Sequence, residues 1–215
     1  MPIKNDREYR SIVLEPTDDY VVEGNFSTYD TPYQLYSYDE AGYHIEVWEQ
    51  VARGAFNDTD LSDVIMQYDH QGRVFARASN GTLTLNLEDT PHMRAELGGT
   101  EIGRQLYEEI KGGYTTKMSF GFTVSSDEKT RSEEVVDGVT RIKILRSITG
   151  IKRLYDVSAV SLPANDQTSI SARAFADGVS AEVLEELKKA KAHDEEIKRS
   201  QARKRLELKM KLGGQ

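Results

Sequence analysis

The sequence predicts a mainly β domain with flanking helices, followed by a long charged helix. Three observations carry this. Short period-2 segments bounded by Gly, Pro, Asn and Asp recur from about Ser11 to Leu162, the pattern of half-buried strands separated by tight turns. One helical pattern interrupts them: Ile102, Leu106 and Ile110 recur between a capping Thr100 and a stop at Gly112. From Ala181 to Leu212 the composition turns to charged helix formers. Many short strands with few helices favour a closed or nearly closed antiparallel barrel or sandwich with helices packed outside.

Taken in order, Ser11–Leu14 is a first short strand. Tyr20–Phe26 is a second and ends in turn chemistry at Ser27–Pro32. Tyr33–Tyr38 follows, and Tyr43–Trp48 is a further strand or the lead into a helix. Glu49–Phe56 reads as one or two helical turns, broken at Gly54. Val64–Tyr68 is a strand that delivers Asp69 and His70 at its end. Arg73–Ala78, Thr82–Leu87 and His92–Leu97 are successive antiparallel strands, with turns at Ser79-Asn80-Gly81 and Glu88–Pro91. After the helix, Met118, Phe120, Phe122 and Val124 alternate with Lys117, Ser119, Gly121 and Thr123. Ser125–Gly138 is expected to be a polar, acidic, mobile loop, and Val139–Ile148 and Leu154–Leu162 the last two strands. Residues 1–171 thus form one domain, 172–180 a linker of small residues, and 181–215 a charged tail helix. Its stripe of Val183, Leu184, Leu187, Ala190 and Ile197 is thin, so the helix packs on a partner or projects into solvent.

Composition narrows the function. The 215 residues carry a net charge of −8, which argues against binding driven by nucleic-acid phosphates. There is no cysteine, so disulfides, thiolate catalysis and Cys-ligated zinc are excluded. No stretch approaches the roughly 20 apolar residues that span a bilayer, so neither membrane nor nucleic acid is expected as a partner. The four histidines include no HExxH and no pair at metal spacing, so no metal is expected. No phosphate-binding glycine motif is present, and no cofactor is expected. The G-x-S-x-G elbow of α/β-hydrolases is also missing.

Two residues stand out. Ser119 lies on the polar face of an otherwise apolar strand, beside Gly121. Most strand serines are small polar residues on a wet face, but a serine held rigidly with space beside it can also present a nucleophile. His70 ends an apolar strand and enters a turn, whereas His44 and His92 lie within strand patterns and His193 on the charged tail. A serine hydroxyl needs a base to take its proton, and imidazole has the matching pKa. The imidazole needs a third group to fix its tautomer. Asp156, between apolar Tyr155 and Val157, is a candidate because a carboxylate in so apolar a strand calls for a partner. Asp69 competes by proximity to His70.

Three segments together resemble the tailed-phage prohead (capsid maturation) protease family: YDH ending at His70, KMSFGF around Ser119, and LYDVSAVSLPAN around Asp156. EGNF and RGAF upstream add to the match, which covers about residues 20–172. The resemblance implies a fold similar to herpesvirus assembly proteases, a β-barrel ringed by helices. It implies a serine endopeptidase that acts inside the immature capsid in the host cytoplasm. Its substrates would be the scaffold, or the scaffolding segment of the major capsid protein, and then the protease itself. Carried over by position, Ser119 matches the nucleophile and His70 the general base. Where the herpesvirus-type arrangement has a second His on a late strand, this sequence offers Asp156. The turn near Asn165 is placed to supply a backbone N–H to an oxyanion hole. A homodimer is what the herpesvirus-type proteases imply. The competing reading from a different class is a catalytically inactive internal scaffold protein of the procapsid, with the tail helix as its assembly element. An esterase or amidase using the same pair has no sequence feature of its own.

Overall fold

Alternation of apolar and polar side chains is realised as eleven strands among the described residues: β1 (Glu8–Val13), β2 (Glu15–Pro16), β3 (Val21–Asn25), β4 (Tyr33–Glu40), β5 (Tyr43–Val51), β6 (Ile65–Tyr68), β7 (Gln71–Arg77), β8 (Leu83–Asn86), β9 (His92–Glu96), β10 (Lys117–Val136) and β11 (Val139–Val160). A single α-helix in this part, α1 (Glu101–Lys111), precedes β10. This is a computed structural model, which describes residues 8–17, 19–40 and 42–161. In the C-terminal part it describes residues 181, 185, 186, 188, 189, 192, 193 and 196–205. The chain divides into two units, Met1–Ala174 and Phe175–Gln215. In the second, the described residues are helical and exposed. The expected linker and the last residues of the expected tail helix lie outside the described residues.

The larger sheet has the order β1-β10-β11-β5-β4, with β6 also paired to β11 and β7 to β6. The smaller has the order β2-β3-β9-β8. The fold is therefore mainly β with few helices, but the pairings among the described residues do not close into a ring. They are also not all antiparallel. Both β5 and β6 run parallel to β11, β5 along Thr140–Ile148 and β6 along Asp156–Ala159. Neither pairing can be read from alternation, which fixes faces and not partners.

The two sheets share one core. Met118, Phe120 and Phe122 of β10 pack with Leu154, Val157 and Ala159 of β11 and with Val22, Met93 and Ala95 of the smaller sheet. Phe120 stacks on Phe122 at 4.8 Å between ring centroids and meets the edge of Phe26 at 5.6 Å. Each such ring contributes roughly 1.5–3 kcal/mol by burial, which fixes the strand carrying Ser119 in place.

Three expected elements differ. Glu49–Val51 complete β5 and are not helical; the turn follows at Arg53–Asp58. The buried positions Val47, Glu49 and Val51 keep a two-residue period, so sheet pairing overrides the helix-friendly sequence. Ser125–Val136 is not a loop but the outer half of β10. It pairs with β11 through a two-residue turn at Asp137-Gly138, both at positive φ, as a tight hairpin demands. Val139–Ile148 and Leu154–Val160 are one continuous strand.

Helix α1 follows its sequence signals. The Thr100 side chain accepts a hydrogen bond from the Gly103 backbone N–H at 3.0 Å. A Cβ on Gly103 would lie 2.1 Å from the Leu97 carbonyl oxygen, so the first turn can sit this close only with glycine. Leu106, Tyr107 and Ile110 are buried. Thr100→Ala is expected to cost about 1 kcal/mol of stability, measured as a lower urea midpoint with unchanged slope.

Candidate active site

The site is built where β10, β11 and β6 meet. On β10 the core takes Met118, Phe120 and Phe122, so Ser119 and Gly121 face the other side of the sheet. On β11 the core takes Leu154, then Val157 and Ala159. That spacing breaks the two-residue period, and the pairing shows why. Gly121 pairs with Asp156 and Phe122 with Leu154, so Tyr155 is an extra residue in a β-bulge. A bulge shifts the alternation by one. It turns Asp156 and Ser158 away from the core and onto the face of Ser119. Ser119 pairs directly with Ser158.

His70 arrives from the neighbouring strand. Tyr68 pairs with Gln71, leaving Asp69 and His70 as a two-residue hairpin turn between β6 and β7. Both have positive φ, 51° and 58°. Such turns usually use Asn-Gly or Asp-Gly, and a side chain here costs on the order of 1 kcal/mol. The strain is held by neighbours. The Asp69 N–H donates to the Ala159 carbonyl at 2.9 Å, and its carboxylate accepts from the Ser161 N–H and hydroxyl, both at 2.8 Å at their closest. Asp69 is therefore occupied as a clamp between the turn and the end of β11.

The clamped turn brings the His70 imidazole to Asp156. Its Nδ1 lies 2.5 Å from Asp156 Oδ1. The carboxylate is an acceptor, so the proton of this bond sits on His70 Nδ1. The same Oδ1 accepts a hydrogen bond from the Ser158 hydroxyl at 2.6 Å. The Ser158 Oγ in turn accepts from the Gln67 N–H at 3.3 Å. Ser119, Asp156 and Ser158 are each no more than 1% exposed, and the His70 side chain is 16% exposed. The Ser119 hydroxyl is buried with no hydrogen-bond partner among the described residues. A buried unsatisfied hydroxyl costs roughly 1–3 kcal/mol and calls for an explanation.

Of the residues singled out in the sequence, the structure joins His70 to Asp156 and sets Ser119 on the same face. It holds Asp69 elsewhere. Ser158 is not among the residues singled out; its signals are its spacing of two from Asp156 and its place inside the LYDVSAVSLPAN segment. Asn165 lies outside the described residues. The other histidines sit apart. His44 on β5 bonds Asp39 at 2.8 Å and Glu46 at 3.3 Å, and the Asp39 hydrogen bond is the main cause that raises its pKa. His92 is half-buried on β9, and His193 is exposed and helical. Among the described residues no group of three or more His, Asp or Glu could hold a metal ion, and no helix is long and apolar enough to cross a membrane.

A search of curated proteins and a search of solved structures give no match. The family model of the caudovirus prohead serine protease matches residues 8–186, a span that includes β6 and its turn, β10 and β11. The chain belongs to the caudovirus prohead serine protease family, and is by that membership a serine peptidase of phage capsid maturation.

Proposed function

We propose that the chain is a serine endopeptidase with Ser119 as nucleophile, His70 as general base and Asp156 as the acid that orients the base. The observation that carries this is the 2.5 Å hydrogen bond between His70 and Asp156, on the sheet face that holds the buried Ser119 hydroxyl. Ser119 and Asp156 lie on adjacent strands two residues out of register. Diagonal neighbours of this kind are roughly 7–8 Å apart, the span an imidazole covers with a hydrogen bond at each nitrogen.

The steps follow from these roles. His70 Nε2 takes the Ser119 proton as Oγ attacks the peptide carbonyl. Asp156 holds the Nδ1 proton and stabilises the imidazolium. The imidazolium gives its proton to the leaving amine, and an acyl-enzyme remains. His70 then takes a proton from water, which attacks the ester; the acid leaves and Oγ is reprotonated. The proposed substrates are the scaffold or the scaffolding segment of the major capsid protein, inside the procapsid, and the protease itself.

The site as it stands is closed. With Ser119 1% exposed, a carbonyl meets Oγ only when this face opens. The test therefore uses the capsid setting. The wild-type chain and Ser119→Ala are each co-expressed with the capsid and scaffold proteins, and intact masses are read. Shortened capsid or scaffold chains are expected with wild type only. Full-length masses in both assembled samples would overturn the proposal.

A further inference from the structure

We propose that Ser158 is a positioning residue of this active site: its hydroxyl fixes the carboxylate that orients the catalytic histidine. The inference rests on the Ser119–His70–Asp156 reading and adds a residue to it.

Asp156 has rotational freedom about its terminal bond, and a base is held only as well as the group that holds it. The Asp156 oxygen that accepts from His70 is the one that accepts from Ser158, at 2.5 and 2.6 Å. Two donors converging on one oxygen define the carboxylate plane and the direction of approach for the imidazole. Hydrogen bonds to a charged acceptor are the short, strong kind, and Ser158 is fully buried, so water does not compete for it.

Ser158 is also tied to the strand that precedes His70. Its oxygen accepts from the Gln67 N–H on β6, three residues before His70. The hydroxyl thus links the strand that delivers the base to the carboxylate on β11 that receives it. It does so beside the nucleophile, since Ser158 pairs with Ser119. A serine chosen only for its small size would not need its proton aimed at the acid.

The test is a double-mutant cycle on the full chain, co-expressed with the capsid proteins, with Ser158→Ala, Asp156→Ala and the double variant. The first readout is the rate of fragment formation by intact mass. The second is the downfield Nδ1–H proton resonance of His70 by NMR, with His70→Asn as the blank. Ser158→Ala is expected to slow cleavage about ten- to hundredfold, the equivalent of one charge-assisted hydrogen bond, and to displace the resonance; the melting temperature falls by several degrees at most, because the Gln67 N–H loses its acceptor. In the Asp156→Ala background it is expected to have no further effect on rate, because a residue acting through Asp156 has nothing left to act on.

An unchanged rate and resonance in Ser158→Ala would overturn the inference. So would a rate loss that persists undiminished in the Asp156→Ala background, which marks a purely structural role. If Asp156→Ala itself loses neither rate nor resonance, the underlying triad reading fails instead. Should Ser158→Ala not fold, Ser158→Cys, close in volume and a weak donor, is judged by the same outcomes.

Discussion

His70→Asn is expected to reduce capsid-protein cleavage by a factor on the order of 10⁵ or more, to the level of Ser119→Ala, with the fold intact. The size follows from triad logic: the members act as a unit, so removing the base costs nearly as much as removing the nucleophile. Asparagine is the choice because the site demands it. His70 has φ of 58° in a two-residue turn, and asparagine tolerates this conformation better than alanine does. A loss in His70→Asn therefore reports chemistry rather than a broken hairpin. Asp156→Ala should fall about 10⁴-fold in the same assay. Asp69→Asn should stay within severalfold of wild type, since its side chain serves Ser161 and asparagine keeps both an oxygen acceptor and the turn. Rates are read from co-expression time courses by intact mass. A deep loss in Asp69→Asn with a mild one in Asp156→Ala would hand the third role to Asp69.

That contrast also shows how far the sequence can be read. Ser119 and His70 stand out in the sequence because each breaks a local pattern: a hydroxyl in an apolar strand, and an imidazole where a turn begins. The choice between Asp156 and Asp69 has no such mark. Proximity favours Asp69, and only the bulge at Tyr155 turns Asp156 onto the face of Ser119. A bulge leaves little trace in sequence; here it is a missed beat between Leu154 and Val157, easily taken for ordinary alternation. Ser158 was hidden for the same reason. Strand existence was mostly legible, because alternation is local. Partners were not: β5 and β6 lie parallel to β11 across long sequence separations. The acidic stretch Ser125–Gly138 shows the limit clearly. Its residues up to Val135 are exposed, so no apolar alternation marks it as a strand. It is ordered by backbone pairing to β11, whose Ile142, Ile144 and Ile148 are buried.

The base of that hairpin gives the largest expected effect on stability. Arg146→Met should destabilise the fold by about 3–5 kcal/mol, lowering the thermal midpoint on the order of 10 °C. Arg146 on β11 is 5% exposed and Glu49 on β5 is fully buried. The guanidinium meets Glu49 Oε2 at 3.0 Å and Asp127 Oδ2 on β10 at 2.6 Å, and the Tyr33 hydroxyl on β4 donates to Glu49 Oε1 at 2.6 Å. One polar line thus crosses four strands, through residues paired directly, Arg146 with Glu49 and Tyr33 with Glu49. Removing the cation takes the Arg146 partner from a Glu49 carboxylate that is closed to solvent. The cost lies in that stranded charge more than in the lost pair. The double variant Glu49→Leu/Arg146→Met is therefore expected to recover most of the stability, while Asp127 and Tyr33 are exposed enough to hydrate. Calorimetry on the four chains of the cycle reads this directly. If the double variant is no more stable than Arg146→Met alone, the ion pair itself holds β5 in register against β11. The network would then be what keeps a one-residue slip from turning the buried face of this hairpin outward.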